Sequence, residues 1–122
     1  MSTILVVEDS ATQRQMIADF LEDYDFQVEI ARNGVEALQH LHDSSPDVVL
    51  LDVLMPEMNG YEVCRRIKND PKTQDIPVIM CSAKITQVDR YWGMKIGADA
   101  YIGKPFKQNE LIETIERFLD NN

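Results

Sequence analysis

An unbroken run of four apolar residues, Val48–Leu51, ends in a carboxylate at Asp52 and constrains the fold more than any other stretch. Such a run is typical of a strand that is covered on both faces, as in a parallel sheet. Pro56 and Gly60 follow and indicate a loop. A charge at the end of a buried strand is costly without partners, and α/β proteins bind ligands at the carboxyl ends of parallel strands. Asp52 is therefore either a functional carboxylate or an ordinary strand-end residue that reaches water.

The same pattern recurs along the chain. Four further apolar segments predict strands at residues 4–7, 28–31, 78–81 and 100–102. Apolar residues at helical spacing follow each strand and predict five helices. They are Met16, Ile17, Phe20 and Leu21 in the first helix, Leu38 and Leu41 in the second, Val63, Cys64 and Ile67 in the third, Val88, Tyr91, Trp92 and Ile96 in the fourth, and Leu111, Ile112, Ile115, Phe118 and Leu119 in the fifth.

This regular alternation predicts the fold class. Short connections between alternating strands and helices imply parallel strands, right-handed crossovers and helices on both faces of one sheet. Five units are too few for a closed eight-stranded barrel, so the sheet is expected to be open. Segment 28–31 mixes polar and apolar residues, which favours an edge strand. The prediction is an α/β fold with a flavodoxin-like, doubly wound, five-stranded parallel sheet of order 2-1-3-4-5.

Composition limits the possible function classes. The 122 residues predict one domain, residues 1–122, without an effector domain. No run approaches transmembrane length and no signal peptide is evident, so we expect a cytoplasmic protein without membrane insertion. The net charge of −9 argues against nucleic acid as a direct partner. Cys64 and Cys81 lie within apolar patterns and are expected to be buried, reduced core residues.

Polar residues mark the predicted helix ends. Ser10, Asn33, Asn59 and Thr86 are the predicted N-caps, and Asn33 with Glu36 has the spacing of a capping box. His40 and His42 lie near the end of the second helix. We expect both histidines to be solvated rather than to act as ligands.

Five polar side chains are predicted to meet at one edge of the sheet. The switch point between strands one and three carries Glu8, Asp9 and Asp52, while strand four ends in Ser82 and Lys104 follows strand five. Three acids repel one another unless a cation lies among them, and oxygen ligands with a nearby phosphate favour Mg²⁺. A lysine suits a phosphoryl group, and an aspartate is a competent nucleophile towards phosphorus. This set of side chains is therefore compatible with transfer of a phosphoryl group to an aspartate carboxylate.

These residues also carry a family resemblance. The chain resembles the receiver domains of two-component response regulators over essentially its whole length, and is similar to the single-domain chemotaxis regulators. Segment 89–94 also resembles the receivers of twitching motility and phototaxis. The matching marks are Glu8-Asp9, Asp52 with Met55-Pro56-Glu57-Met58-Asn59-Gly60, Ser82-Ala83, Gly97-Ala98-Asp99 and Tyr101-Ile102-Gly103-Lys104-Pro105-Phe106.

The resemblance implies roles for individual residues. Asp52 would accept a phosphoryl group from a phosphohistidine of a sensor histidine kinase or phosphotransfer protein. Glu8, Asp9, Asp52 and the backbone carbonyl of Leu54 would hold Mg²⁺, partly through water. Lys104 would pair with the phosphoryl oxygens. The chain would be a signalling protein rather than an enzyme, assisting only its own phosphotransfer and dephosphorylation.

The resemblance also implies how the signal is passed on. Ser82 would move to bond the phosphoryl group, Tyr101 would turn inward behind it, and Pro105 would follow a cis peptide bond. The face formed by the fourth helix, fifth strand and fifth helix would then control a downstream protein partner, and the resemblance implies motility or taxis as its setting. Leu54 and Lys84 occupy positions that line access to the acyl phosphate in this family.

Three other functions are open to such a chain. Haloacid-dehalogenase-like phosphatases also use a strand-end aspartate, but they need a second acid at the position of Leu54. A flavodoxin-like cofactor module needs a hydroxyl- and glycine-rich phosphate loop where Glu8, Asp9 and Ser10 stand. A receiver-like fold that acts by binding alone is the third, although every residue that the chemistry needs is present.

Overall fold

Five parallel strands alternate with five helices in the computed structural model, which describes residues 1–119. The strands are β1 (Thr3–Val7), β2 (Gln27–Ala31), β3 (Val48–Leu51), β4 (Val78–Ser82) and β5 (Ala100–Gly103). The helices are α1 (Ala11–Asp23), α2 (Gly34–Asp43), α3 (Gly60–Asn69), α4 (Gln87–Ile96) and α5 (Gln108–Leu119). The strand order is β2-β1-β3-β4-β5, so the predicted flavodoxin-like winding is confirmed.

The sheet separates two hydrophobic cores. Successive side chains of a strand point to opposite faces, so β1 contributes Leu5 and Val7 to one core and Ile4 and Val6 to the other. The first core also contains residues of α2 and α3, whereas the second contains residues of α1 and α5. Cys64 lies in the first core and Cys81 in the second, and both are buried, free cysteines as predicted.

Strand β2 pairs with β1 and lies at the end of the sheet, as its mixed pattern predicted. Ile30 is 50% exposed, while Ala31 is fully buried. The opposite edge is β5, which pairs with β4. Strands β1, β3 and β4 lie between these two edges, and β3 is buried throughout.

The predicted caps begin four of the helices. Ser10, Asn33, Asn59 and Thr86 each accept a hydrogen bond from the backbone N–H three residues later. The capping box at Thr86 and Asp89 is complete. The one at Asn33 is not, because the Glu36 carboxylate accepts from the backbone N–H of Arg32.

Some predicted apolar stripes are less buried than expected. Met16 of α1 is 58% exposed, and Val88, Tyr91 and Trp92 of α4 are all more than half exposed. Within α4 the buried residue is Gly93. Helical spacing predicts which residues share a face, but whether a neighbouring element covers that face depends on the tertiary structure.

His40 differs from the prediction of a merely solvated side chain. Its Nε2 lies 2.7 Å from Oε1 of Glu29, so α2 and β2 are joined through this contact.

None of the helices within residues 1–119 combines the length and apolar character needed to cross a membrane.

Candidate functional site

Three carboxylates meet where β1 and β3 end. Glu8 and Asp9 follow β1 directly, and Asp52 follows β3. The backbone N–H of Asp52 donates to the carbonyl of Val7 over 3.1 Å. One carboxylate oxygen from each acid lies within 4.8 Å of the others. Glu8 and Asp52 are buried, whereas Asp9 is exposed. The predicted convergence of these acids is therefore present in the structure.

The Lys104 ammonium lies among these acids. Its Nζ is 2.5 Å from Oε1 of Glu8 and 3.7 Å from Oδ2 of Asp52. It also donates to Oε1 of Gln13 over 2.7 Å. The sequence does not predict this contact of Gln13, because an exposed glutamine in the first turn of a helix carries no signal of it.

Burial and charge set the protonation behaviour of the pair. Burial raises the pKa of the Asp52 carboxyl to about 6, opposed by the charge of Lys104 and supported by that of Glu8. Burial lowers the pKa of the Lys104 ammonium, but the hydrogen bond to Glu8 and the charges of both acids outweigh it, leaving this pKa above its ordinary value. Lys104 is therefore cationic at neutral pH.

Ser82 and Tyr101 are linked through Lys84. The Ser82 hydroxyl is fully buried, and its oxygen accepts the backbone N–H of Lys84 over 3.1 Å. The Tyr101 hydroxyl donates to the carbonyl of Lys84 over 2.5 Å. Burial raises the pKa of Tyr101 to about 12, so the phenol stays protonated as a donor. The Tyr101 ring lies beside Gly93 of α4, where an added Cβ would come within 2.8 Å of it.

The loop after β3 shapes the other side of the site. The Leu54 backbone N–H donates to Oδ1 of Asp52 over 3.2 Å, and the Leu54 side chain is 50% exposed. The Gly60 N–H donates to the carbonyl of Val53 over 2.9 Å, which draws the start of α3 against the loop. The peptide bond between Lys104 and Pro105 is cis, as the family resemblance implied.

A groove of about 570 Å³ opens beside Lys104. Its walls include Gln13 and Met16 of α1, together with Pro105 and Phe106. A small solute can therefore reach the neighbourhood of Lys104 without unfolding the sheet.

The donor set suits a hard divalent cation. It consists of carboxylate oxygens, with neither sulfur nor imidazole in the described cluster. The single positive charge of Lys104 offsets only one of the three acids, so the cluster retains negative charge that a bound cation would neutralise. An acid cluster that is both close and partly buried is unfavourable without such compensation.

Asp52→Asn is expected to raise the free energy of unfolding at pH 7.5 in the absence of divalent cations. The folded-state pKa of about 6 exceeds the ordinary value of 3.8, so ionisation opposes folding. This cost is absent below pH ~4, grows between pH ~4 and ~6, and is complete above that range. We expect the variant to gain about 1–3 kcal/mol at pH 7.5 and less at pH 5, measured by urea unfolding.

The control for this gain is Asp43→Asn, which removes a charge from an exposed position at the end of α2. It should leave the unfolding free energy within about 0.5 kcal/mol of the original at both pH values. Equal stability of Asp52→Asn and the unmodified protein at pH 7.5 would contradict a destabilising Asp52 carboxylate.

The chain matches a family model over most of its length. The model described as Response regulator receiver domain matches residues 4–116. Protein PilH of Pseudomonas aeruginosa is 37% identical over 119 residues, which cover 98% of each chain. The chain also spans about half the length of several transcriptional regulators that it matches.

Two solved structures have nearly the same backbone. The chemotaxis protein CheY4 of Vibrio cholerae has a TM-score of 0.91 at 31% identity, covering 97% of this chain and 98% of that one. The receiver domain of the sensor histidine kinase PA1611 from Pseudomonas aeruginosa has a TM-score of 0.91 at 28% identity, covering 98% of both chains. That structure holds a magnesium ion in its active-site cleft.

Proposed function

The chain belongs to the response regulator receiver domain family, and on that premise we propose that Asp52 accepts the phosphoryl group. The observation that carries the proposal is the convergence of Glu8, Asp9, Asp52 and Lys104 at the carboxyl edge of a parallel sheet. An aspartate oxygen is a competent nucleophile towards phosphorus, and the neighbouring acids could hold a cation that, with the lysine, neutralises the phosphoryl oxygens.

The transfer step is a displacement at phosphorus. A carboxylate oxygen of Asp52 forms the new O–P bond while the P–N bond of the donor phosphohistidine breaks. The ring nitrogen keeps the electron pair and takes a proton from solvent. Lys104, whose Nζ lies 3.7 Å from Oδ2 of Asp52, would pair with the phosphoryl oxygens.

We propose that Glu8, Asp9, Asp52 and the backbone carbonyl of Leu54 hold Mg²⁺. The oxygen-only donor set and its net negative charge support this choice. When bound, Mg²⁺ supplies positive charge that neutralises the transferring phosphoryl group. The magnesium ion in the related PA1611 receiver domain supports the same assignment.

We propose that Ser82 and Tyr101 pass on the phosphorylation signal. Both residues bond to the backbone of Lys84, so a movement of Ser82 towards a phosphoryl oxygen would disturb the segment that leads into α4. Phosphorylation replaces the single negative charge of the Asp52 carboxylate with a phosphoryl group that carries about 1.5 to 2 negative charges. This change can shift a conformational equilibrium only through contacts that differ between its two states. The face of α4, β5 and α5 would then control a protein partner.

The partners follow from this chemistry. A sensor histidine kinase or phosphotransfer protein would supply the phosphoryl group, and a downstream protein would bind the switched face. Similarity to the chemotaxis protein CheY4 and the resemblance of segment 89–94 support an output in motility or taxis. We propose that residues 1–122 act as one receiver unit, a signalling protein whose only chemistry is on its own phosphate.

Phosphorylation is expected to depend on Mg²⁺ because an uncompensated acid cluster repels a phosphoryl donor. The protein would be incubated with acetyl phosphate, with Mg²⁺ or with a chelator, and followed by intact mass spectrometry. We expect one phosphoryl group per chain with Mg²⁺, sensitive to hydroxylamine and mapping to Asp52. An equal extent of labelling in the chelator would contradict the proposed metal site, and no labelling by acetyl phosphate or by a purified kinase would contradict the function.

Lys104→Ala is expected to bind Mg²⁺ but to fail in switching. The metal ligands stay in place, while the ammonium that would pair with the phosphoryl oxygens is lost. Mg²⁺ affinity would be measured by titration, and switching by the change in Trp92 fluorescence on phosphorylation. A phosphorylation-dependent change equal to that of the unmodified protein would contradict this role for Lys104.

A further inference from the structure

Lys104 is held by a residue outside the set of acids. Its ammonium makes two short contacts, at 2.5 Å with Oε1 of Glu8 and at 2.7 Å with Oε1 of Gln13. The distance to Asp52, 3.7 Å, is too long for a hydrogen bond. The side-chain oxygen of Gln13 therefore helps to fix where the positive charge lies relative to Asp52.

Hydrogen bonds connect the backbone of Gln13 to Glu8, the residue that follows β1. The Gln13 N–H donates to Oγ of Ser10 over 3.3 Å, and the Ser10 N–H donates to Oε2 of Glu8 over 3.2 Å. Arg14 donates to the backbone carbonyl of Glu8 over 2.9 Å. The first turn of α1 and the acids after β1 thus form one connected unit, so the Gln13 side chain starts from a defined position.

We propose that Gln13 is a positioning residue that orients the Lys104 ammonium for phosphoryl transfer to Asp52. The inference rests on the proposed function. An ammonium has three N–H donors, and Glu8 and Gln13 take one each, which leaves one for a phosphoryl oxygen. A carboxamide accepts this hydrogen bond without adding negative charge near the incoming group. Gln13 therefore orients the Lys104 ammonium without repelling the phosphoryl donor.

The competing interpretation is that an exposed glutamine merely touches a lysine. Gln13 is exposed, so water can replace its hydrogen bond at small cost. Under that interpretation its removal changes neither the rate of transfer nor the environment of the Lys104 ammonium. The two interpretations differ in kinetics and in the behaviour of one ammonium group, not in overall stability.

The test compares two glutamines of the same helix. Gln13→Met keeps the length of the side chain but removes the acceptor, while Gln15→Met is the control, since Gln15 bonds to Asp19 and not to the site. Phosphorylation by acetyl phosphate would be timed at saturating Mg²⁺. In this step the O–P bond to Asp52 forms, the P–O bond to the acyl oxygen breaks, and acetate leaves with the electron pair. We expect about a three- to tenfold slower rate for Gln13→Met, and Mg²⁺ affinity within about twofold.

A double-mutant cycle separates positioning from a structural role. If Gln13 acts through Lys104, Gln13→Met causes no further loss of rate in the Lys104→Ala background. Exchange of the Lys104 ammonium protons with water, followed by NMR, gives a readout that needs no phosphorylation. We expect faster exchange in Gln13→Met than in Gln15→Met.

The outcomes distinguish this inference from the proposed function. Equal phosphorylation rates for Gln13→Met and Gln15→Met would overturn the positioning role while the function stands. The same conclusion would follow if Gln13→Met slowed phosphorylation in the Lys104→Ala background as much as it does alone. Unchanged ammonium exchange would overturn it as well. If the unmodified protein takes no phosphoryl group from any donor, the function fails and the inference fails with it.

Discussion

Asp52→Asn is expected to abolish phosphorylation, reducing the rate by at least ~1,000-fold while the protein stays folded. A carboxamide has almost the shape of a carboxylate, but it lacks the charged oxygen that attacks phosphorus. The buried position of Asp52 tolerates the neutral side chain, since burial already raises the pKa of this carboxyl to about 6. Loss of labelling in a folded variant therefore reports on chemistry and not on stability.

The measurement is intact mass after incubation with acetyl phosphate and Mg²⁺, with Asp43→Asn as the control that keeps normal labelling. Circular dichroism would establish that both variants are folded. A hydroxylamine-sensitive phosphate on Asp52→Asn would remove Asp52 as the acceptor. Peptide mapping would then show whether Glu8 or Asp9 carries the phosphate in its place.

Gly60→Ala is expected to be the most destabilising single-methyl change near the site, at about 3 kcal/mol or more. An added Cβ would lie 2.3 Å from the backbone oxygen of Asp52 and 2.7 Å from Cα of Val53. Both are backbone atoms, so no side-chain rotation relieves the overlap. The peptide of Asp52 has to move, and we expect slower phosphorylation together with the lower stability.

Gly103→Ala is the matched control for this effect. Its Cβ would lie 2.8 Å from Cγ2 of Ile85 and 3.0 Å from a guanidinium nitrogen of Arg90. These are the ends of exposed side chains that can turn away, so the cost should be about 1 kcal/mol or less. Urea unfolding of both variants compares the two sites. A cost for Gly60→Ala no larger than that for Gly103→Ala would contradict the close backbone approach.

The fold was predictable because its signals are local. Each buried strand is a short apolar run, and four of the five described helices begin at a polar cap, so the alternation can be read along the chain. Parallel connection then places the strand ends at one edge, which is why Glu8, Asp9, Asp52 and Lys104 were predicted to meet. Their roles in phosphorylation stay predictions until the experiments above are made.

Contacts between distant side chains could not be predicted in the same way. Lys104 and Gln13 are 91 positions apart, and their hydrogen bond depends on how far two flexible side chains reach. His40 meets Glu29 because α2 packs beside β2, a fact of three-dimensional placement. The exposure of Trp92 likewise follows from the absence of a covering element on that side of α4 within the described residues.

The division of the interior by the sheet has a consequence for how a signal spreads. Ile96 of α4 packs against one core and Leu111 of α5 belongs to the other, although β5 lies between the two helices on the proposed output face. Only Gly93 of the described α4 residues is buried, so few apolar contacts oppose the displacement of this helix. Such a helix can open sub-globally at a fraction of the free energy of complete unfolding. A partner could then bind a displaced α4 while the core that contains residues of α5 and α1 stays intact.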